Sequence, residues 1–400
     1  MITSLLDTDM YKLSQQQIAL NRFSDAHVKW QFKCRNADVD LRPYADEIYS
    51  ELAKWANNSF KQSELDYIGT LSWVKPSYLA FLKTYRPDLS CLKIWADDTK
   101  LNITVEGSWT QTILWEVPLL AIVNEVYFSN QDHELDPEKF GIMVNTWKQG
   151  RINLESKCDY LQLKLAGNPE VSNAYRFSDF GTRRRYSGGW QREVVSTLQK
   201  RFPKHLIGTS NVLLAKELGL KAIGTQAHEF WQVCQAYAPL DQFLDFALSE
   251  WLAEFNGDLG IALSDIVGMR AFLKAFNLEY SNAYAGARHD SGDPADWCYK
   301  LIDHYNCMGI DSTTKTAVFS DGLTFPKSFE LTSKFHNEIN VSHGIGTYLT
   351  NDMGVEALQV VMKIVECNGQ PVAKLSDSSG KAMCNDDSYV AKLKAIYNIE

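Results

Sequence analysis

Residues 315–322 read KTAVFSDG. A short apolar run rich in strand formers closes on Ser-Asp-Gly, residues that end strands and begin turns. The pattern recurs from about residue 200 onward: LKAIG (220–224), LGIALSD (259–265), AYAGARHDSGD (283–293) and INVSHGIG (339–346), most of them followed by helix-like sequence. Strands alternating with helices point to βαβ units and a parallel sheet. In such folds, and above all in barrels, functional groups collect where the strands end. Here the polar residues do sit at those ends: Gln226, His228 and Glu229; Asp265; Arg288, Asp290 and Asp293; Asp321 and Gly322; Gly344 and Gly346.

The first third is organised differently. YADEIYSELAKWA (44–56) carries apolar residues at helical spacing, and LKIWADDTKLNITVEG (92–107) alternates like two short strands around a DD turn. The stretch from Gly107 to Ser129 reads as one long helix, with Ser108 as its N-cap. After residue 355 the chain returns to alternating strands, VVMKIVECNGQPVAKLS, with NG as the hairpin turn. That tail is expected to rejoin the N-terminal region. The expected domains are therefore residues 1–130, completed by 355–400, and residues 131–354.

With 45% hydrophobic residues, 11 Trp and a formal net charge of −9 over 400 residues, the chain can fill a core and lacks a Lys/Arg tract. It is a poor partner for nucleic acid or an anionic membrane. The eight cysteines are scattered without CxxC or zinc-ligand spacing, as expected for reduced thiols in a cytoplasmic protein. MITSLLDTDMYKLS has acidic residues where a signal peptide needs an apolar run, and ILWEVPLLAIV (113–123), with Glu116 and Pro118, is not expected to span a membrane.

Four stretches carry candidate chemistry. GIGT (344–347) and SDGL (320–323) are glycine turns that can cradle phosphate or serve as plain strand-to-helix turns. RHDSGD (288–293) can hold Mg²⁺ or ribose hydroxyls, or be a solvated Asp-rich turn. DFGTRRRYS (179–187) sets three arginines beside Phe180, suited to a flat anionic ligand or to a basic surface. In GTQAHEF (224–230), His228 is a nucleophile, a general base or a satisfied helix-start histidine. HEFWQ is not HExxH, and neither a GxxxxGK[ST] P-loop nor an opening GxGxxG is present.

Taken together the motifs resemble the nicotinate phosphoribosyltransferase family. The matching stretches are TDMYKLS (8–14), FGTRRRYS with WQ soon after (180–191), GTSNVLLA (208–215), GTQAHEF (224–230), IALSD (261–265), RHDSGDP (288–294), FSDGL (319–323) and HGIGTYL (343–349), in family order. One departure is small: Ser264 precedes Asp265 where many relatives carry Thr. The resemblance implies an α/β fold, an incomplete TIM-like barrel joined to an open-faced α/β sandwich. It implies synthesis of nicotinate mononucleotide from nicotinate and phosphoribosyl pyrophosphate, coupled to ATP hydrolysis with Mg²⁺, in NAD biosynthesis. A sibling reaction would use nicotinamide.

Site roles follow the same resemblance. His228 would be transiently phosphorylated, with Asp265 orienting it and Glu229 beside it in the catalytic group. Phe180 and Arg183 would hold the nicotinate ring and carboxylate, with Tyr11 supplied by a second subunit of a homodimer. Arg288, Asp290, Asp321 and Gly322 would meet the phosphoribosyl group, Asp290 and Asp321 being the Mg²⁺ candidates. Gly344, Gly346 and Thr347 would receive the 5′-phosphate.

Overall fold

The structure is a computed structural model that describes residues 1–133, 137–377 and 384–399. It contains two sheets. The first is antiparallel: β1 (His27–Cys34), β2 (Leu92–Ala96), β3 (Leu101–Ser108), β10 (Val360–Cys367) and β11 (Gln370–Pro371), in the order β11-β10-β1-β3-β2. The late strand β10 lies beside β1, with Val28 opposite Cys367 and Cys34 opposite Val360. The NG turn forms as its sequence requires: Asn368 and Gly369 have φ of 50° and 77°, the left-handed pair that matches the twist of a two-residue hairpin.

The second sheet is parallel: β4 (Phe177–Asp179), β5 (Leu206–Thr209), β6 (Ile261–Leu263), β7 (Gly286–His289), β8 (Thr316–Phe319) and β9 (Asn340–Ile345), in the order β5-β4-β9-β8-β7-β6. Four of the five runs read from sequence contribute β6 to β9. The fifth, LKAIG, does not form a strand. It makes a single parallel bridge, Ala222 to Thr209, through two hydrogen bonds. It comes so close that a Cβ on Gly208 would lie 2.1 Å from the Lys221 carbonyl oxygen. The chain then leaves the sheet at Gly224 and delivers His228. Between this segment and β6 the backbone ladder is missing. The Gln226 side chain crosses the seam instead, accepting from Leu263 N–H at 3.0 Å and donating to Tyr284 Oη at 3.4 Å. The result is an incomplete barrel.

The long helix expected after Ser108 is interrupted. A short helix Trp109–Thr112 passes through a 3₁₀ turn, Ile113–Trp115, into the helix Glu116–His133. Pro118 has no N–H for the Leu114 carbonyl, so one unbroken α-helix cannot run through this point. Ser108 precedes the first helix without a side-chain cap, and the Trp109 N–H is bonded to the Ala26 carbonyl at 2.7 Å. The segment Trp109–Gln131 has the length and hydropathy of a membrane span, yet 89% of its apolar window is buried inside the protein. It is a core helix here. All eight cysteines are free.

The N-terminal arm is pinned to the rim of the parallel sheet. Asp9 bridges Asn211, Met10 N–H bonds the Ser210 carbonyl at 2.7 Å, and Ser210 Oγ donates to Asp9 Oδ1 at 2.6 Å. Arg185 locks the arrangement. Its guanidinium grips both oxygens of Asp7 (2.7 and 2.9 Å) and Glu125 Oε1 (3.0 Å through Nε). The arm, the core helix and the post-β4 loop thus meet at one buried cation.

Truncating such a cation leaves Asp7 with Asn211 and Glu125 with the N-terminal amine as their remaining partners, at a cost of about 3–5 kcal/mol. Arg185→Met is therefore expected to lower unfolding free energy by that amount in chemical denaturation. Arg184→Met, whose guanidinium is held by the Val360 carbonyl and Gln359, should cost clearly less. Equal losses at the two positions would contradict the clamp.

Candidate active site

The C-terminal ends of the parallel strands open into a cavity of about 410 Å³. Nearly every candidate from the sequence lines it: Tyr11, Phe180, Arg183, His228, Glu229, Arg288, Asp290, Asp321, Gly322, Gly344, Gly346 and Thr347. Asp265 lies just behind the wall, fully buried at the end of β6.

His228 opens the helix His228–Cys234. Its Nε2 is 2.8 Å from Asp265 Oδ1 and 3.6 Å from Asp290 Oδ2. A carboxylate only accepts, so the proton sits on Nε2 and Nδ1 carries the lone pair. Among the described residues Nδ1 has no hydrogen-bond partner. Burial, aided by the Lys374 ammonium, pushes the imidazole pKa down to about 4 in spite of Asp265. The ring is neutral and its tautomer is set by a bound anion.

That anion is itself saturated. Asp265 Oδ2 accepts from Ser291 Oγ at 2.8 Å and pairs with Lys374 Nζ at 2.8 Å. Burial opposes its charge, but His228 and Lys374 outweigh burial and hold the carboxyl well below its usual range. Asp290 gives Oδ1 to Arg288 Nη2 (2.6 Å) and Ser320 Oγ (2.8 Å). Its Oδ2 has only longer approaches, 3.6 Å to His228 and 3.8 Å to Lys374. His228, Asp265 and Asp290 converge closely enough to share a cation, and Asp321 is not part of that group.

The three consecutive arginines part company. Arg185 is the buried clamp. Arg184 lies against β10, and burial together with Arg183 and Arg35 pushes its pKa down to about 10. Arg183 faces the cavity with Nη1 3.6 Å from Glu116 Oε1. Crowding like charges around an open cavity is costly unless an anion is to be bound. Phe180 reaches the same cavity, and Gly344 is what admits its ring: a Cβ there would lie 2.3 Å from Phe180 Cδ2. The glycine thus serves ring clearance, a role its reading as a phosphate loop did not include. Asp321 and Gly322 both adopt the left-handed region, with φ of 72° and 61°.

Two side chains have partners that the motifs did not show. Tyr11 lines the cavity of its own chain and donates to Glu116 Oε2 at 3.3 Å, and the arm before it is bonded to the post-β5 loop. Glu229 lines the cavity beside His228. Its carboxylate is drawn to Lys12 Nζ at 2.5 Å, and burial pushes its pKa up to about 7.

Sequence reasoning missed the lysines. Lys363 sits on β10 and Lys374 follows β11, and both line the cavity. Lys374 is held in place by Gln235, which bonds both backbone groups of Ala373 (2.7 and 2.9 Å), and by Leu375 N–H to the Ile266 carbonyl. The available signal was a lysine inside an apolar run, in VVMKIV and PVAKLS. Arg35, just past β1, was missed as well.

The chain was compared with known proteins. Residues 175–400 match the model of the nicotinate phosphoribosyltransferase (NAPRTase) family, and residues 6–124 match the model of its N-terminal domain. The chain is 45% identical to nicotinate phosphoribosyltransferase of Bordetella bronchiseptica, over 100% of this chain and 95% of that protein. It is 43% identical to that of an Acidovorax species, over 100% and 98%. The crystal structure of nicotinate phosphoribosyltransferase from Vibrio cholerae superposes with a TM-score of 0.91 at 36% identity, covering 99% of this chain and 94% of that one. The Porphyromonas gingivalis structure gives 0.89 at 30%, covering 99% and 100%.

The His228 environment has a measurable signature. In the unfolded chain a histidine titrates near 6.5, and in the fold near 4. Between these values the unfolded state binds more protons. This group's contribution to stability is therefore constant above pH ~6.5 and falls by at most roughly 3–4 kcal/mol as pH drops through ~4. Ring ¹⁵N shifts should report a neutral Nε2–H tautomer from pH 8 to pH 5.5. A midpoint above pH 6 would contradict the assigned environment.

Proposed function

The chain belongs to the nicotinate phosphoribosyltransferase family, and from that premise we propose that it makes nicotinate mononucleotide for NAD biosynthesis. The substrates are nicotinate and phosphoribosyl pyrophosphate, the by-product is pyrophosphate, and ATP drives the reaction through a phosphorylated His228. The observation that carries this reading is the convergence, in one cavity, of a neutral histidine with one bare ring nitrogen and an aromatic-arginine pair fit for a flat carboxylic acid.

In the glycosyl step the pyridine nitrogen attacks C1 of the ribose and the C1–O bond to pyrophosphate breaks. That nitrogen already holds a lone pair, so no residue need remove a proton. The protein's task is placement and charge stabilisation. Phe180 supports the ring and Arg183 pairs with its carboxylate. Tyr11 closes on the ring from the arm. Arg288, Asp290, Asp321 and Gly322 meet the phosphoribosyl group, and Gly344, Gly346 and Thr347 take the 5′-phosphate. Arg35, Arg184, Lys363 and Lys374 supply the positive charge that a polyphosphate needs.

In the phosphoryl step His228 Nδ1 attacks the γ-phosphorus and ADP departs. The Nε2 proton stays on the ring, bonded to Asp265, which stabilises the cation that forms. A Mg²⁺ ion fits the donor set. Asp290 Oδ2 faces the cavity without a close partner, and Mg²⁺ is commonly held by one or two carboxylates plus substrate phosphates. Asp290, with Asp265 behind it, would hold the ion, which would neutralise phosphate oxygens.

Two experiments test the proposal. Pyrophosphate should be released from phosphoribosyl pyrophosphate plus nicotinate, faster with ATP, and γ-labelled ATP should yield an acid-labile, base-stable phosphoenzyme that His228→Ala abolishes. Label retained in the variant would overturn the role of His228. Arg183→Ala should weaken nicotinate binding by about 2–5 kcal/mol, the range for truncating one partner of a buried charged pair. It should leave phosphoribosyl pyrophosphate much less affected, and an unchanged nicotinate KM would remove Arg183 from the site.

A further inference from the structure

Behind two carboxylates that line the cavity, Glu116 and Glu229, stands a third charged side chain. Lys12 is fully buried. Its Nζ stands 2.5 Å from Glu116 Oε2 and 2.5 Å from Glu229 Oε2, and 4.7 Å from the centre of the Trp30 ring. Glu116 turns its other oxygen, Oε1, to Arg183 Nη1 at 3.6 Å. Gln15, oriented so that its nitrogen donates to Glu229 Oε1 and its oxygen accepts from Ala227 N–H (2.5 and 2.8 Å), closes the far end. Lys12 does not line the cavity; Glu116 stands between it and Arg183.

One ammonium thus neutralises two buried carboxylates, and one of those carboxylates abuts the guanidinium assigned above to the substrate acid. Without Lys12 the base-binding end of the cavity would lose the cation in contact with both carboxylates, leaving Arg183 and the more distant Lys363 to face Glu116 and Glu229. A carboxylate ligand would meet their field, and an amide of the same shape would not. The interaction of unit charges at these separations, in a half-wet protein interior, is large enough to change affinity by one to two orders of magnitude. A buried lysine that served packing alone would be equally well replaced by an apolar chain, and two carboxylates would not be placed around it.

We propose that Lys12 sets the preference of this site for an acid over the corresponding amide, by cancelling the charge of Glu116 and Glu229 behind Arg183. The proposal rests on the reading that Arg183 receives the nicotinate carboxylate. Lys12 is a specificity-determining residue that never touches the substrate.

The test uses the full-length protein with saturating phosphoribosyl pyrophosphate. In Lys12→Met the nicotinate KM should rise about 10- to 100-fold, while the inhibition constant of nicotinamide against nicotinate stays within about threefold of the parent. Adding Glu116→Gln to Lys12→Met should restore the nicotinate KM to within about threefold of the parent. Equal changes for acid and amide, or no change for either, would show a structural role and overturn the proposal. If Lys12→Met does not fold, Glu116→Gln alone decides. It keeps the Lys12–Glu229 pair and should leave the nicotinate KM equal or lower, so a rise overturns the proposal. Arg183→Gln separates the two levels. If it leaves the nicotinate KM untouched, the site reading has failed; if it raises that KM while Lys12→Met keeps its selectivity, only the inference has failed.

Discussion

The carboxylate of Asp265 is the point on which the rest of the site turns. It is buried at the end of a barrel strand, and a lone buried anion there would be untenable. Each of its partners comes from a different part of the chain: His228 from the post-β5 segment, Ser291 from the loop after β7, Lys374 from the tail beyond β11. Satisfying one charge therefore assembles three distant stretches. It also fixes the histidine tautomer through Nε2 and leaves Nδ1 without a direct constraint. The helix that begins with His228 is followed by Gln235, whose amide holds the backbone at Ala373 beside Lys374. Histidine and lysine are positioned by the same short structural unit.

Much of this was legible in the residues, and what was not has physical reasons. The runs that became β6 to β9 announce themselves because apolar strand formers stop abruptly at Asp, Ser or Gly. LKAIG carries the same signature but forms only a bridge, because the chain must leave the sheet early to place His228. Strand length is set by where the next element has to begin, which local propensity does not encode. The tail hairpin was readable from Asn368-Gly369. Its contribution of Lys374 to the strand-end cavity was not, since a lysine in an alternating strand looks solvent-facing until its neighbours are known.

The arginine triplet shows the opposite limit. Composition marks Arg183, Arg184 and Arg185 as one basic feature, and the fold treats them as three. Arg185 belongs to the stability of the arm, Arg184 to the strand beside it, and Arg183 to the cavity. Glu229 illustrates the same point: it is adjacent to His228 in sequence, while the helix turns its carboxylate toward Lys12. Neighbours in sequence share a backbone position and differ in direction, so roles cannot be assigned by proximity alone.

Thr182–Arg184 form a 3₁₀ turn, with Arg185 next in line. Such a turn advances about 120° per residue, and Arg185 leaves it in extended backbone, so successive guanidinium groups are aimed at three different walls. Replacing one arginine empties one direction and leaves the other two in register. Inserting or deleting a single residue would re-aim all three at once and take Arg185 from its carboxylates. The loop is thus tolerant of exchange and intolerant of changes in length, an asymmetry that most surface loops do not have.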